Sequence, residues 1–181
     1  MAEVFCQHGL VNSARQGGQR TREYLPLFML LGLYTGARSE AILSLTWDRV
    51  DLANERIDFA IPERMRTKKR RPRLPIPRKL KTFLVFAYCK RLDAHGPVLH
   101  IDGQPIKRVI RGFKAAAERA GLGGVTPHTL RHTCGTWMAQ RGVSLWEIAG
   151  YLGQDPQTTE RIYAHHHPNF MLAARNAADR S

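Results

Sequence analysis

The chain has 181 residues, with 28 Lys and Arg against 15 Asp and Glu and a formal net charge of +13; this length builds one domain with a sizeable core, and this charge points to a polyanionic partner, nucleic acid or an anionic membrane surface. The longest apolar run, Leu25 to Tyr34, is broken by Pro26 and Gly32 and falls short of the ~20 residues that span a bilayer; the first residues lack the pattern of a secretory signal, so a cytoplasmic protein with no membrane partner is expected. Cys6, Cys89 and Cys134 are odd in number and far apart, a pattern of neither a disulfide framework nor a metal knuckle.

In chain order, residues 25–34 are apolar nearly all round, as in a buried helix. The turn T-G-A-R follows at 35–38, and 40–47 reads as a second helix that turns Ile42, Leu43 and Leu45 toward a core. At 56–61 Ile57, Phe59 and Ile61 alternate with Arg56, Asp58 and Ala60, the period of a half-buried strand. A second extended segment, R-L-P-I-P at 73–77, is confined to a strand edge or end by Pro75 and Pro77. Between these strands and just beyond lies a concentration of charge. From Arg64 to Lys81 there are ten basic residues and no acid, and the remaining basic residues nearly balance the acids of the whole chain. A β-ribbon whose turn carries Arg66, Lys68, Lys69, Arg70 and Arg71, with Arg73 at its return, suits a phosphate backbone; the alternative is a solvated basic loop.

Beyond the ribbon, 106–120 reads as helix with Gly121 as its stop. Thr126 and Pro127 form an N-cap and first helical position, so His128 opens a helix to about Arg141. Ser144 and Glu147 form a capping box for the next helix, which Gly153 closes. Asp155 and Pro156 start another, which carries Tyr163. These elements predict a fold that is mainly α with a small antiparallel β-sheet, in a single domain over 1–181 with its core at about 20–167.

His128 and Arg131 stand three apart at the start of one helix, on one face and near the positive end of its dipole, where a phosphate is favoured. An arbitrary H-x-x-R is more often a cap and a surface ion pair. A tyrosine with an ordinary pKa of about 10 needs a base or positive surroundings to act as a nucleophile. Arginine's planar fork suits the charge that grows on a transferring phosphoryl group. A departing alkoxide needs a general acid, which a lysine on a ribbon turn can supply; Lys68 is the candidate and Lys69, on the opposite face of the strand, the alternative.

T-G-A-R-S-E-A-I-L-S-L-T-W-D-R-V-D at 35–51, T-K-K-R-R-P-R-L-P-I-P, P-H-T-L-R-H-T and Y-L-G-Q-D-P-Q-T-T-E-R-I-Y-A-H together resemble the catalytic domain of the tyrosine recombinases, the phage integrase family, over Leu25 to His167 and in the family's order. Gln154 follows Arg131 by 23 positions and Tyr163 follows Gln154 by 9, near that family's register. The resemblance implies the DNA breaking-rejoining fold and site-specific recombination of double-stranded DNA at attachment sites, as in prophage integration or excision. It implies that Arg38 and Arg131 clamp the scissile phosphate and that His128 assists proton transfer. It likewise implies that Lys68 protonates the leaving 5′ oxygen and that Tyr163 forms a 3′-phosphotyrosyl bond that stores the energy for religation. No metal, nucleotide or other cofactor is implied. The implied assembly is a homo-oligomer on DNA, a tetrameric synapse, with a DNA-bending accessory protein as a further partner.

The sequence departs from the family pattern at four places. Gln154 stands where the family has His or Trp, Ala41 where it has an acidic residue, and the segment from the lysine pair to Pro75 is one residue short. Only 37 residues precede Arg38, so the N-terminal core-binding domain is expected to be absent from this chain, a fragment or remnant of a longer integrase. A non-enzymatic DNA-binding remnant and type IB topoisomerase-like strand relaxation are the alternative readings.

Tyr24, Tyr34, Tyr88 and Tyr151 read as core or its edge, and Trp137 and Trp146 as core. His165, His166 and His167, being consecutive, cannot share one helix face and are not expected to hold a metal. A tail helix at about 168–178 presents Phe170, Met171, Leu172 and Ala174 either to its own domain or, as the resemblance implies, to a neighbouring protomer.

Overall fold

The computed structural model describes residues 24–60 and 72–179. Ile61, Cys6 and the residues expected at a ribbon turn, Arg66, Lys68, Lys69, Arg70 and Arg71, lie outside the described residues.

Helix α1 (Leu25–Thr35) is the apolar segment, and eight of its residues are buried. It ends in Gly36, at φ 60°, the left-handed conformation that lacks strain only without a Cβ. Helix α2 (Ser39–Leu43) is shorter than the 40–47 expected, because Ser44 leaves helical geometry and the chain passes through a 3-10 turn at Trp47–Arg49. Ile42 and Leu45 still reach the core, while Leu43 is only partly buried against it.

Strands β1 (Val50–Asp51), β2 (Arg56–Asp58) and β3 (Arg73–Pro75) form an antiparallel sheet in that order. Ile57 pairs with both Val50 and Leu74, so the alternation read from the sequence turns Ile57 and Phe59 inward. Arg49 fastens this sheet to α2: its guanidinium donates to the carbonyls of Ser44 and Ala60. Helix α3 (Arg78–Cys89) follows, burying Leu80 and Leu84, and a hairpin of β4 (His100–Ile101) and β5 (Gln104–Pro105) turns at Asp102 and Gly103, both at positive φ. The sequence pattern assigned no element to this stretch. Helix α4 (Ile110–Arg119) starts four residues later than expected, after the hairpin has used Gln104 and Pro105.

Three helices then build the functional end. α5 (Pro127–Gln140) opens on a capping box between Thr126 and Thr129. In α6 (Leu145–Leu152) Ser144 Oγ accepts from the Glu147 amide, and Gly153 stops the helix in the left-handed region at φ 59°. Asp155 caps α7 (Pro156–Tyr163) by accepting from the Thr158 amide. A 3-10 turn (Ala164–His166) and the tail helix α8 (Leu172–Ala178) complete the described chain.

The main core lies between α1, α2, the sheet, α3 and α4. A second cluster of Cys134, Ala139, Ile148, Leu152 and Tyr163 joins α5, α6 and α7. Gly32 lets α1 approach α5, since a Cβ there would stand 2.7 Å from Leu130 Cδ1. Trp146, expected in the core, is 75% exposed: on α6 it points away from Ile148 and Leu152, which pack in the cluster shared with α5. The tail helix has no buried residue, and Phe170 and Met171 beside it are exposed.

Candidate active site

Arg131 is the centre of the site. It projects from α5 into the junction between the α1–α2 turn and the end of α6, where its residue is 3% exposed. Its Nη1 donates to the carbonyl oxygens of Gly36 at 2.8 Å and Leu152 at 2.7 Å, and its Nη2 donates to Gln154 Oε1 at 2.9 Å. Gly36 fits only as glycine, because a Cβ would meet Leu152 Cδ2 at 2.3 Å. Both carbonyls come from residues whose helices have just ended, so they have no helical partner and are free to accept. Burial and the nearby Arg38 charge pull the Arg131 guanidinium down to about 10, which leaves it charged at neutral pH.

Arg38 caps α2 and is partly exposed. The turn before it is rigid: buried Thr35 donates from Oγ1 to the Leu31 carbonyl at 2.6 Å and accepts from the Ala37 amide at 3.2 Å. Arg38 Nη2 lies 3.5 Å from the Gly153 carbonyl, so Arg38, Arg131 and Gln154 gather around the loop after α6. Gln154 gives its amide oxygen to Arg131, which leaves its NH₂ as a donor.

Gln154 also lines a cleft of about 400 Å³ with Pro72, Trp146, Ala149, Gly150, Gly153 and Pro156. Pro72 is the first described residue after Arg71, so the return of the ribbon borders the site. Of the basic residues assigned to DNA on the sequence, Arg73 is the described one; it pairs with Asp58 across the ribbon at 2.5 Å.

Tyr163 ends α7 and is 1% exposed. Its ring lies on α5 where Gly135 leaves room: a Cβ on Gly135 would stand 2.5 Å from Tyr163 Cζ. Burial raises the phenol's pKa, Arg131 opposes that rise, and Cys134 adds to it. The phenol is therefore neutral at ordinary pH. Its hydroxyl lies 3.4 Å from His132 Nδ1.

His128 is one turn before His132, and their rings meet edge to face at 4.5 Å between centroids. Burial, followed by the charges of His132, Arg131 and Arg38, lowers the His128 pKa. His132 stands out by no motif of its own beyond its place in P-H-T-L-R-H, but its spacing was a usable signal. Four residues after His128 on one helix, it shares that residue's face.

Tyr151 is placed structurally, its hydroxyl donating to the Tyr34 carbonyl at 2.9 Å. Tyr88 packs edge-on to Trp47 at 5.3 Å. Among the described residues, no group of three or more His, Cys, Asp or Glu is placed to hold a metal ion, and no helix is long and apolar enough to cross a membrane.

Fold and site together define a mainly helical domain in which Arg131, Arg38 and Gln154 gather around the loop after α6, with Tyr163 on the next helix. The chain belongs to the phage integrase family, whose model matches residues 9–169. It is 38% identical over 152 residues to "Tyrosine recombinase XerC" of Herpetosiphon aurantiacus, covering 76% of this chain and 46% of that protein. The chain spans about half the length of curated relatives that it matches. Two solved structures share the fold. The catalytic domain of bacteriophage HP1 integrase superimposes with a TM-score of 0.66 at 22% identity, over 97% of this chain and 90% of that one. The Tn1549 transposon integrase in complex with transposon right end DNA gives 0.72 at 18% identity, over 94% of this chain and 62% of that one.

Proposed function

We propose that this chain is the catalytic part of a site-specific DNA recombinase that breaks and rejoins strands through Tyr163, in the setting of prophage integration or excision. The observation that carries the reading is the convergence of Arg131, Arg38 and Gln154 on one loop, with Tyr163 held on the next helix by its contact with α5. Preorganised cations and donors aimed at growing charge are the chief means of catalysing phosphoryl transfer. Arg131 is already fixed by protein acceptors before substrate arrives, so little reorganisation accompanies binding.

In this mechanism the scissile phosphate sits between Arg38 and Arg131, and Gln154 donates its NH₂ to a non-bridging oxygen. Glutamine carries no charge and shuttles no proton, so its part is binding alone. His128, neutral by its lowered pKa, contacts the phosphate and assists proton movement. Tyr163 attacks phosphorus to form a 3′-phosphotyrosyl bond, and Lys68 on the ribbon protonates the departing 5′ oxygen. The covalent bond conserves the phosphodiester energy, so religation proceeds with no cofactor. Arg66, Lys69, Arg70, Arg71 and Arg73 neutralise backbone phosphates, which makes binding fall steeply with salt. Four protomers on two duplexes form the working synapse, with the exposed Phe170 and Met171 of the tail offered to a neighbour and a DNA-bending protein as an accessory. The cytoplasm, where the DNA is, is its place of action.

Nicked suicide duplexes spanning attachment junctions test the reading. A denaturant-resistant protein–DNA adduct is expected from the unchanged chain and none from Tyr163→Phe, with salt-sensitive binding retained. Binding without an adduct, from this chain and from a longer one carrying the upstream domain, would overturn it.

A further inference from the structure

The contact between His132 and Tyr163 has no part in the mechanism above, yet it is the one hydrogen bond the phenol makes among the described residues. We propose that His132 takes the proton from the Tyr163 hydroxyl during strand cleavage, an assignment that rests on Tyr163 being the nucleophile.

A phenol that is 1% exposed cannot hand its proton to bulk water while it stays in place. Its neighbours narrow the choice of acceptor. Arg38 and Arg131 are guanidiniums, which donate and never accept. The Cys134 thiol is pushed up to about 12 by burial and stays protonated. His128 turns its ring to His132, 4.5 Å away. Nδ1 of His132 lies 3.4 Å from the hydroxyl, slightly long for an O–H···N bond, as catalytic contacts are before substrate tightens them.

The α5 helix builds this geometry with two residues three apart, which share one face. Gly135 makes the notch in which the ring lies, and His132 meets the hydroxyl at the ring's end. For Nδ1 to accept, the imidazole must carry its own proton on Nε2.

In cleavage the Oη–H bond breaks as the Oη–P bond forms, and the proton passes to Nδ1. The electron pair of the P–O5′ bond leaves with the 5′ oxygen, which takes its proton from the general acid, Lys68. Religation reverses both transfers, His132 returning the proton to Oη.

The test is single-turnover cleavage of suicide duplexes carrying either the ordinary 5′ oxygen or a 5′-bridging sulfur, whose thiolate leaves without a general acid. His132→Asn keeps a hydrogen-bonding group near the Nδ1 position and loses the base. It is expected to cleave at least about 10²-fold more slowly on both substrates, whereas Lys68→Ala should recover on sulfur. In His132→Ala, added imidazoles should restore the rate in proportion to their basicity. The proposal is overturned by an asparagine variant within about twofold of the unchanged chain. Recovery on sulfur, which would put His132 at the leaving oxygen, or rescue indifferent to basicity, the mark of a packing role, also overturns it. An unchanged chain that forms no adduct removes the tyrosine mechanism and this assignment together; an adduct with an indifferent His132→Asn removes only the latter. Should the variants unfold, nitrogen NMR of the histidine rings in the unchanged chain decides: a proton resident on Nδ1 of His132 overturns the proposal.

Discussion

The ring of Tyr163 lies so close over Gly135 that a β-carbon at position 135 would stand 2.5 Å from Tyr163 Cζ and 2.8 Å from Cε1. Gly135 has an ordinary helical backbone inside α5, so what it supplies is room. Gly135→Ala would relieve the helix of a residue disfavoured in its interior by roughly 0.5–1 kcal/mol, but overpacking a filled site costs about 1–3 kcal/mol. The net expectation is a loss of stability and a displaced phenol. Urea unfolding should give a lower midpoint. Ultraviolet titration should show the Tyr163 transition moving back toward the ordinary phenol range, identified by its absence in the Gly135→Ala, Tyr163→Phe double variant. An unaltered titration would refute the notch.

Arg131 serves the architecture as well as the site. Arg131→Lys replaces a three-way fork with one ammonium, and each buried acceptor left unpaired costs about 1–3 kcal/mol. Denaturant unfolding should show a loss of at least about 2 kcal/mol for Arg131→Lys. Gln154→Ala, at a partly exposed position, should lose less than about 1 kcal/mol. Equal stabilities would show that the carbonyl bonds contribute nothing.

Stability should fall at both ends of the pH scale for reasons set by this site. Cys134 is raised from 9.0 to about 12 and Tyr163 is raised from 10.0. With folded values above the unfolded ones, their contributions are intact below pH 9 and are lost as pH rises from there toward 12. Each group adds a slope of up to about 1.4 kcal/mol per pH unit. Cys134→Ala should move the onset upward by about one unit, to where tyrosine begins to ionise. His128 is shifted the other way, below 6.5, so its contribution is present above pH 6.5 and is lost as pH falls through its folded value. Urea midpoints between pH 5 and 11 should trace a plateau from about 6.5 to 9.

The two tryptophans at opposite ends of the burial scale should behave oppositely. Trp146 is 75% exposed and Trp47 is 4% exposed. Thermal unfolding of Trp146→Ala should match the unchanged chain to within about 0.5 kcal/mol, whereas Trp47→Ala should cost about 3–5 kcal/mol. A large loss at Trp146 would mean that the cleft beside Gln154 closes over it.

The helices of the functional end were legible because their boundaries are chemical. Thr126 before Pro127, Ser144 before Glu147, Gly153, and Asp155 before Pro156 each satisfy or terminate a backbone ladder through a residue that can be named from the sequence. The T-G-A-R turn was legible for the same reason. Trp146 was misplaced because a helix this short has several faces consistent with its apolar residues, and only the position of α5 decides which is covered. Helix α3 went unread although Leu80 and Leu84 stand at helical spacing, its exposed Phe83 and Phe86 blurring the stripe. The Asp102–Gly103 pair was a readable hairpin signal, hidden by flanking strands of only two residues each. His132 depended on Tyr163, 31 positions away, and a pair at that distance belongs to the tertiary fold.

The bonds of Arg131 to Gly36, Leu152 and Gln154 use both hydrogens of Nη1 and one of Nη2. A guanidinium has five, so what remains is the hydrogen on Nε and one on Nη2. A phosphate gripped by those two hydrogens meets a chiral surface, on which its two non-bridging oxygens are not equivalent. Duplexes with sulfur in place of one or the other of those oxygens should therefore react at different rates, and the handedness of the faster one would report which way the strand runs across the protein.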